Sequence, residues 1–398
     1  AQKYTAQAAS AARAKPDAAQ LHAALASVEV GTGEVLALYG GPDYLKNNRN
    51  WATTDRMAAS TFKTYAVIAG LRNGFNLRTQ LNGNTFTPKG DTSTVRNEFN
   101  YQYGQVSLVK ATADSINTAF VDLTQQIKNG PQEIIKAAND SGVPTGAGWD
   151  PNNRISLGSA EVSPLDQATG YATIANNGVY VASHVVKEVQ NSKGEVLYKA
   201  TPEKRQAFDA DLARDVTFAL QNVVNEGTGA RVSSLGRDIA GKTGTAGVND
   251  DVLSSWFVAY TKQVSTAVMY VAGDAGTADL DPYARPGDAT FFGGTYPALT
   301  WLDYMKVAME GRPAQKFDPP AYINGAKTAT PVAPSETPSS APPSSSAPPS
   351  SVAPSAPITT SAPPATPQVP STGPTTTRPT QTQGPSQPPS ASPTTTPS

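Results

Sequence analysis

Apolar and polar positions alternate in five short segments that lie near the two ends of the first 312 residues. Residues 26–30 and 34–39 alternate on either side of a Gly-Thr-Gly turn, which predicts a β-hairpin. The same two-residue period predicts strands over residues 238–246, 255–261 and 265–272. We expect the hairpin and these three strands to form one antiparallel sheet.

Helical periodicity dominates the middle of the chain. Residues 60–71 carry apolar side chains at helical spacing, and Gly74 follows as a C-terminal stop. Ser163 and Pro164 form a helix start, with a capping serine before a proline in the first turn. The other predicted helices cover residues 108–113, 119–127, 131–138, 209–224 and 297–309. We expect this helical middle to pack beside the sheet.

The composition changes at Lys327. Of the 34 prolines, 20 follow this residue, and the only charged side chains after it are Glu336 and Arg378. Such a segment buries too little apolar surface to offset the entropy of ordering it. We therefore expect a linker remnant over residues 1–20, a folded domain over 21–312, and a Pro/Ser/Thr-rich disordered tail over 313–398 whose first residues run off the domain surface.

Charge and cysteine content exclude several classes of function. The formal net charge of −1 gives no electrostatic case for nucleic acid or for a basic membrane-binding face. The chain has no cysteine, so thiol catalysis, disulfides and cysteine-based metal sites are excluded. No apolar run approaches the roughly 20 residues that span a bilayer. Because the chain opens at Ala1 without a starting methionine, we expect it to be a piece of something longer.

A candidate nucleophile lies at the start of the first predicted helix. Ser60 precedes Lys63 by three residues, a spacing that puts both side chains on one helical face. A lysine in a dry site can lose its proton and serve as a base to the serine. The two histidines are poorly placed for that role, since His22 lies in the N-terminal lead-in and His184 in a Val-rich strand pattern. The chain has no Gly-x-Ser-x-Gly elbow, so Lys63 is the more available base.

Two further motifs carry hydroxyl, amide and amine groups. Ser115-Ile116-Asn117 precedes an apolar helical stretch, and Lys242-Thr243-Gly244-Thr245 forms the second half of a predicted strand. Each motif alone is typical of a cap, a turn or a strand end. In this order, Ser-x-x-Lys, Ser-x-Asn and Lys-Thr-Gly match the signature of penicillin-recognising serine enzymes.

With these motifs, the chain resembles the transpeptidase domain of bifunctional (class A) penicillin-binding proteins over roughly residues 20–310, and its tail is similar to that of actinobacterial members. One departure precedes the serine: the family usually has Pro-Gly where this chain has Ala58-Ala59, and alanine tolerates positive φ less well than glycine. The likeness also includes the segments TGEVLA at 32–37, Gly-Gly at 40–41, SINTAF at 115–120, EVSPL at 161–165 and WFVAYT at 256–261.

The resemblance implies an α/β fold of the penicillin-binding-protein and serine β-lactamase type, with a five-stranded antiparallel sheet flanked by helices and a mostly helical subdomain. It also implies a DD-transpeptidase that cross-links peptidoglycan stem peptides through an acyl-enzyme and is acylated by β-lactams. The implied roles are nucleophile for Ser60, base for Lys63, proton relay for Ser115, amide binding for Asn117, carboxylate binding by Lys242 with Thr243-Gly244-Thr245, and backbone oxyanion donors at Ser60 and Thr245.

No cofactor and no metal ion are expected. The implied partners are a D-Ala-D-Ala donor, an amine acceptor and β-lactams, without nucleic acid; cell-wall, divisome or elongation proteins are further candidates. The resemblance implies an extracytoplasmic location in the cell envelope, with a membrane anchor in an N-terminal segment that this chain does not contain. Four aromatic residues are candidates either for the groove or for core packing: Trp51, Tyr101, Tyr103 and Trp256.

Two alternatives remain at the level of the sequence. A DD-carboxypeptidase of the same family would use water in place of the amine. A catalytically idle β-lactam-binding wall scaffold would use the tail as its working part. A β-lactamase is disfavoured, because no Glu-x-x-x-Asn segment lies between Asn117 and Lys242 to supply a base for water.

Overall fold

The computed structural model describes residues 1–11, 16–248 and 251–325. The tail predicted over residues 327–398 lies outside the described residues. Within the described ranges, no helix combines the length and apolar character needed to cross a bilayer. The α-helices of this part of the chain are α1 (Gln2–Ala11), α2 (Lys63–Arg72), α3 (Leu108–Ala113), α4 (Asn117–Gln126), α5 (Gly130–Asp140), α6 (Pro164–Ala175), α7 (Ala210–Asn225) and α8 (Tyr296–Ala308).

The strands of the described residues are β1 (Leu21–Glu29), β2 (Val35–Tyr39), β3 (Arg56–Met57), β4 (Gln80–Asn82), β5 (Gln105–Ser107), β6 (Glu161–Val162), β7 (Val179–Val181), β8 (Glu188–Gln190), β9 (Val196–Lys199), β10 (Lys204–Gln206), β11 (Ala240–Val248), β12 (Asp251–Tyr260) and β13 (Val264–Ala272). The predicted sheet of five antiparallel strands is confirmed, and its order is β11-β12-β13-β1-β2. The smaller pairs are β3–β6, β4–β5, β7–β10 and β8–β9.

The sheet separates two hydrophobic clusters, because successive side chains of a strand point to opposite faces. Trp256 of β12 joins the cluster formed with α2, α6 and α7, and the next residue, Phe257, joins the cluster formed with α1 and α8. Strand β13 is buried along its whole length. This arrangement fixes β11, at the edge of the sheet, beside the segment that carries Ser60.

The residues expected to be a linker contain a packed helix. Tyr4 of α1 is buried, and its hydroxyl donates to the Asp303 carboxylate of α8 at 2.9 Å. Lys3 donates to the same carboxylate at 3.1 Å. Helix α1 therefore covers one face of the sheet together with α8.

The prediction that the chain runs off the surface at residue 313 is wrong for residues 313–325, which pack back on the domain. The backbone N–H groups of Tyr322 and Ile323 each donate to the buried Asp215 carboxylate at 2.8 Å. The Asn324 side chain donates to the carbonyl oxygens of Leu71 (2.7 Å) and Phe75 (2.9 Å). A buried carboxylate needs such donors, and the sequence gives no local sign of which segment supplies them.

Candidate active site

Ser60 lies in a 3₁₀ turn, Ala59–Phe62, that leads directly into α2. The sequence predicts that Ser60 opens the helix, but the α-helix begins three residues later, at Lys63. Ser60 is half-buried and lines a cleft, whereas Lys63 is fully buried. The two residues are therefore presented from one rigid junction between the turn and the helix.

The turn before Ser60 forms in spite of the missing glycine. Ala59 has a φ of +54°, in the left-handed region that alanine rarely adopts. The backbone N–H groups of Ala58 and Ala59 donate to the carbonyl oxygens of Ala160 (2.8 Å) and Gly158 (3.1 Å). These bonds hold the turn against the segment that precedes α6.

Lys63 is bonded to the Ser-x-Asn motif through its amine. Nζ donates to the Ser115 carbonyl oxygen at 2.7 Å, to Ser115 Oγ at 3.2 Å and to Asn117 Oδ1 at 2.7 Å. Ser115 takes a φ of +60°, which turns the chain between α3 and α4. Among the hydrogen bonds of the described residues, none joins Lys63 Nζ to Ser60 Oγ. The sequence motifs at 60–63 and 115–117 thus meet at Lys63 Nζ.

Both buried lysines have lowered pKa values. Burial, followed by repulsion from the charge of Lys242, holds the pKa of Lys63 well below its ordinary value, and the charge of Glu98 acts in the opposite direction. Burial alone lowers the pKa of Lys242 to about 7. Near neutral pH Lys242 therefore carries an appreciable fraction of neutral amine, which an exposed lysine, with a pKa of about 10.4, does not.

At Gly244, strand β11 passes close to the 3₁₀ turn Ala59–Phe62, which we call the serine turn. A Cβ added to Gly244 would lie 3.0 Å from Ala59 Cβ and 3.0 Å from Thr61 Cγ2. Glycine at this position therefore permits the close approach of the strand to the turn. As a result, Thr243 and Thr245 line the same cleft as Ser60.

Neighbouring loops hold the hydroxyl groups of this strand. Thr243 Oγ1 shares a hydrogen bond of 2.7 Å with Thr228 Oγ1. Thr245 Oγ1 accepts a bond of 3.2 Å from the backbone N–H of Gly293. Lys242 Nζ donates to the Thr243 carbonyl oxygen at 3.1 Å. These contacts fix the Lys-Thr-Gly-Thr segment in one orientation.

The cleft has a volume of about 410 Å³. The predicted site residues that line it are Ser60, Ser115, Asn117, Thr243 and Thr245. Lys63 and Lys242 are fully buried. The structure therefore brings together three motifs that are far apart in the sequence.

Sequence reasoning missed several lining residues. Glu98, Phe99, Thr228 and Phe292 all border the cleft. They lie in segments without helical or strand periodicity, so no pattern pointed to them. The one available signal was the density of polar and aromatic residues between residues 97 and 103.

Of the four aromatic candidates for the groove, two line the cleft and two do not. Tyr101 and Tyr103 border it. Trp256 is fully buried, and its Nε1 donates to the Met57 carbonyl oxygen at 2.8 Å. Trp51 is buried against His22, with 4.8 Å between ring centroids. The two tryptophans are therefore packing residues.

The fold and the arrangement of the three motifs agree with one protein family, which comparison of the sequence with family models identifies. The family model for the penicillin binding protein transpeptidase domain matches residues 24–285, more than half of the chain. The chain belongs to this family.

Similar proteins include mycobacterial members of the class that the motifs indicate. The chain is 32% identical to penicillin-binding protein 1A of Mycolicibacterium smegmatis over 340 residues, which are 81% of this chain and 42% of that protein. It is 30% identical to penicillin-binding protein 1A of Mycobacterium tuberculosis over 324 residues, 77% of this chain and 38% of that protein. The chain thus spans about two fifths of the length of these relatives, and the resemblance to their transpeptidase domains is confirmed.

Solved structures agree with this assignment. The penicillin-binding protein PonA1 of Mycobacterium tuberculosis superposes with a TM-score of 0.71 at 28% identity, covering 84% of this chain and 88% of that one. A structure of PonA1 in complex with penicillin V gives a TM-score of 0.70 at 29% identity, over 81% of this chain and 88% of that one.

Proposed function

We propose that this chain is a serine acyltransferase that cross-links peptidoglycan stem peptides, a DD-transpeptidase that works through a Ser60 acyl-enzyme. The observation that carries the proposal is the environment of Lys63. A buried amine with a lowered pKa follows Ser60 by three residues and bonds to Ser115 and Asn117. That is the setting of a lysine that serves as a base near neutral pH.

In the acylation step, Ser60 Oγ attacks the carbonyl carbon of the D-Ala-D-Ala bond. Neutral Lys63 accepts the hydroxyl proton, and the proton passes through Ser115 Oγ to the amine of the leaving D-alanine. The bond of 3.2 Å between Lys63 Nζ and Ser115 Oγ supports this relay. Catalytic hydrogen bonds are often long before substrate binds, so the missing Ser60–Lys63 bond is compatible with this role.

Substrate binding rests on β11 and on Asn117. The charged form of Lys242 and the hydroxyls of Thr243 and Thr245 bind the terminal carboxylate, and Gly244 lets the strand approach the turn that carries Ser60. The backbone N–H groups of Ser60 and Thr245 donate to the oxyanion of the tetrahedral intermediate. Asn117 holds the substrate amide as well as Lys63.

In the second step, the neutral amine of a neighbouring stem peptide attacks the ester carbonyl and gives one proton to Lys63. The ester bond to Ser60 Oγ then breaks, Lys63 returns that proton to Oγ, and the cross-linked amide is released. β-Lactams acylate the same serine and leave an ester that hydrolyses slowly. The similar proteins are penicillin-binding proteins 1A. Their identity supports the proposal that this chain acts outside the cytoplasm, in the cell envelope. A membrane anchor of the full-length protein and contacts with cell-wall, divisome or elongation proteins are parts of this proposal.

Labelling with a fluorescent penicillin tests the nucleophile and the base. We expect the chain to become labelled at Ser60, and the label to be lost in Ser60→Ala and reduced at least 100-fold in rate in Lys63→Ala. The matched controls are Ser192→Ala and Lys193→Ala, exposed residues of the turn between β8 and β9. Labelling of Ser60→Ala, or an unchanged rate in Lys63→Ala, would contradict the assignment.

Product analysis separates the transpeptidase from the carboxypeptidase. A D-Ala-D-Ala donor peptide is incubated with and without an amine acceptor, and the products are resolved by mass. A transpeptidase forms the amide product in proportion to the acceptor. Hydrolysis alone at every acceptor concentration would identify a carboxypeptidase, and a labelled chain that turns over neither way would identify a scaffold.

A further inference from the structure

Two acidic side chains line the cleft, and they differ in their partners. Asp114 forms an ion pair with Lys110 at 2.9 Å. Glu98 forms no ion pair or side-chain hydrogen bond with any residue of the described ranges, and it is exposed. Its charge nevertheless acts on the buried Lys63, where it offsets part of the lowering of the pKa that burial and Lys242 cause. Glu98 is therefore an unpaired negative charge at the reacting centre.

The backbone that carries Glu98 is held in an unfavourable conformation. Phe99 and Asn100 have φ values of +52° and +56°. Asparagine tolerates this left-handed region, but phenylalanine rarely adopts it, because its Cβ crowds the following carbonyl oxygen. A turn of this kind persists only where its surroundings fix it, and such turns are concentrated at functional sites.

Asn97 fixes this turn to the helix of the Ser-x-Asn motif. Its Nδ2 donates to the carbonyl oxygens of Gly83 (2.8 Å) and Tyr101 (2.9 Å). Its Oδ1 accepts from both the backbone N–H and the Oγ1 of Thr118, each at 3.0 Å. Asn97 is buried with all these bonds satisfied, so Glu98 has a defined place relative to α4.

Aromatic side chains extend from the same turn across the cleft. Phe99 contacts Phe292 on the opposite loop, with 6.2 Å between ring centroids, and Tyr101 on its own loop, with 6.0 Å. Phe99 and Tyr101 are both more than half exposed. A carboxylate beside exposed aromatic rings attracts a cation through charge and through the ring quadrupoles.

We propose that Glu98, with Phe99 and Tyr101, binds a primary ammonium group of the peptide substrate inside the cleft. The inference rests on the proposed function, in which Thr243 and Thr245 of the cleft bind a carboxylate with the help of the charge of buried Lys242. The cleft then has opposite charges at two places and selects a substrate with a carboxylate at one and an ammonium group at the other. Two sources carry such a group: the side chain of the donor peptide, and the amine of the acceptor, which binds as an ammonium group and loses one proton to solvent before it attacks.

A penicillin series tests the donor source. Three penicillins share one scaffold and carry hydrogen, an ammonium group or a carboxylate on the carbon next to the side-chain amide. Their acylation rate constants are measured by competition with a fluorescent penicillin. We expect the ratio of the ammonium compound to the hydrogen compound to fall roughly five-fold in Glu98→Gln, the size of an interaction between partly exposed charges. In Glu98→Lys, the carboxylate compound should become the preferred one.

Partition of the acyl-enzyme tests the acceptor source. With an ester donor and D-alaninamide as acceptor, aminolysis competes with hydrolysis in the same tube. Glu98→Gln should lower the ratio of amide to acid product roughly five-fold at a fixed acceptor concentration, and added salt should lower it in the wild-type chain. Glu310→Gln, an exposed glutamate outside the cleft, should leave both ratios at the wild-type values.

Both experiments compare two rates or two products within the same variant. This is necessary because Glu98 also acts on Lys63, so the loss of Glu98 can change all acylation rates by the same factor. A change in the penicillin series alone assigns the ammonium to the donor, and a change in the partition alone assigns it to the acceptor. If neither ratio changes while the chain still labels with penicillin, the inference is wrong and the proposed function stands. If the wild-type chain does not label, the proposed function itself fails.

Discussion

At the scale of single residues, the proposal gives opposite tasks to two buried lysines. In the proposed mechanism Lys63 must be neutral to accept a proton, and Lys242 must be charged to bind a carboxylate. Burial lowers the pKa of both, and the charge of Lys242 lowers that of Lys63 further. If both tasks are needed, the working pH range is bounded below by the protonation of Lys63 and above by the deprotonation of Lys242.

Substitution of Lys242 by arginine tests this division. In the wild-type chain, the acylation rate constant should rise with pH as Lys63 loses its proton and fall above pH 7, where Lys242, with a pKa of about 7, loses its charge. Arginine stays charged, so Lys242→Arg should keep the rising limb and lose the falling one. The pH profile of penicillin acylation measures this, with the exposed Lys193→Arg as control. A falling limb that persists in Lys242→Arg would exclude Lys242 as its source.

At the scale of elements, the junction between the serine turn and α2 is the most constrained part of the site. Ala59 is buried with a φ of +54°, whereas its neighbour Ala58, also buried, has an ordinary φ of −65°. Strand β11 and the segment before α6 hold the turn from two sides. The position of Ser60 thus depends on a residue whose type does not suit its backbone.

The pair Ala58 and Ala59 offers a matched test of that strain. Either alanine changed to glycine loses one buried methyl group and gains backbone entropy in the unfolded chain. Only Ala59→Gly also removes the left-handed strain, of about 1–2 kcal/mol. Ala59→Gly should therefore be more stable than Ala58→Gly by about that amount in urea unfolding. Equal stabilities would mean that Ala59 carries no strain.

The sequence locates the long strands of the sheet but does not fix where each of them begins. Strand β13 was located to within one residue, whereas β12 begins at Asp251, before the predicted start at residue 255, and β1 begins at Leu21, before the predicted start at residue 26. Nearly all of β1 is buried, because it lies between two strands and under two layers of helices, so it shows no alternation at its start. The three motifs were found because each is local. Thr228 and Phe292 were missed, since only the tertiary fold brings them to the cleft.

At the scale of the whole molecule, residues 313–325 belong to the folded domain. Asp215 is fully buried and accepts from the backbone of Tyr322 and Ile323. Burial raises the pKa of Asp215, and these backbone bonds act against that rise. Phe317 adds an edge contact to Tyr260, with 5.5 Å between ring centroids.

Two truncations test this boundary. A chain that ends at Gly325 keeps every one of these contacts, whereas a chain that ends at Arg312 loses them and leaves Asp215 without its donors. We expect the shorter chain to be less stable by about 2 kcal/mol or more, since hydrogen bonds to charged groups contribute about 1.5–3 kcal/mol. Urea unfolding of the two chains measures the difference. Equal stabilities would show that residues 313–325 add nothing to the domain.

The strand order of the central sheet also sets the sequence of events during synthesis. Strand β1 lies between β2 and β13, and its first residue, Leu21, pairs with Ala272. The sheet cannot close until residue 272 has left the ribosome, so Ser60 is made long before β11 and its neighbours can reach it. Contacts of such long sequence separation slow folding. The nascent chain therefore carries Ser60 and Lys63 long before Lys242 is made, and without the strand that completes the candidate site.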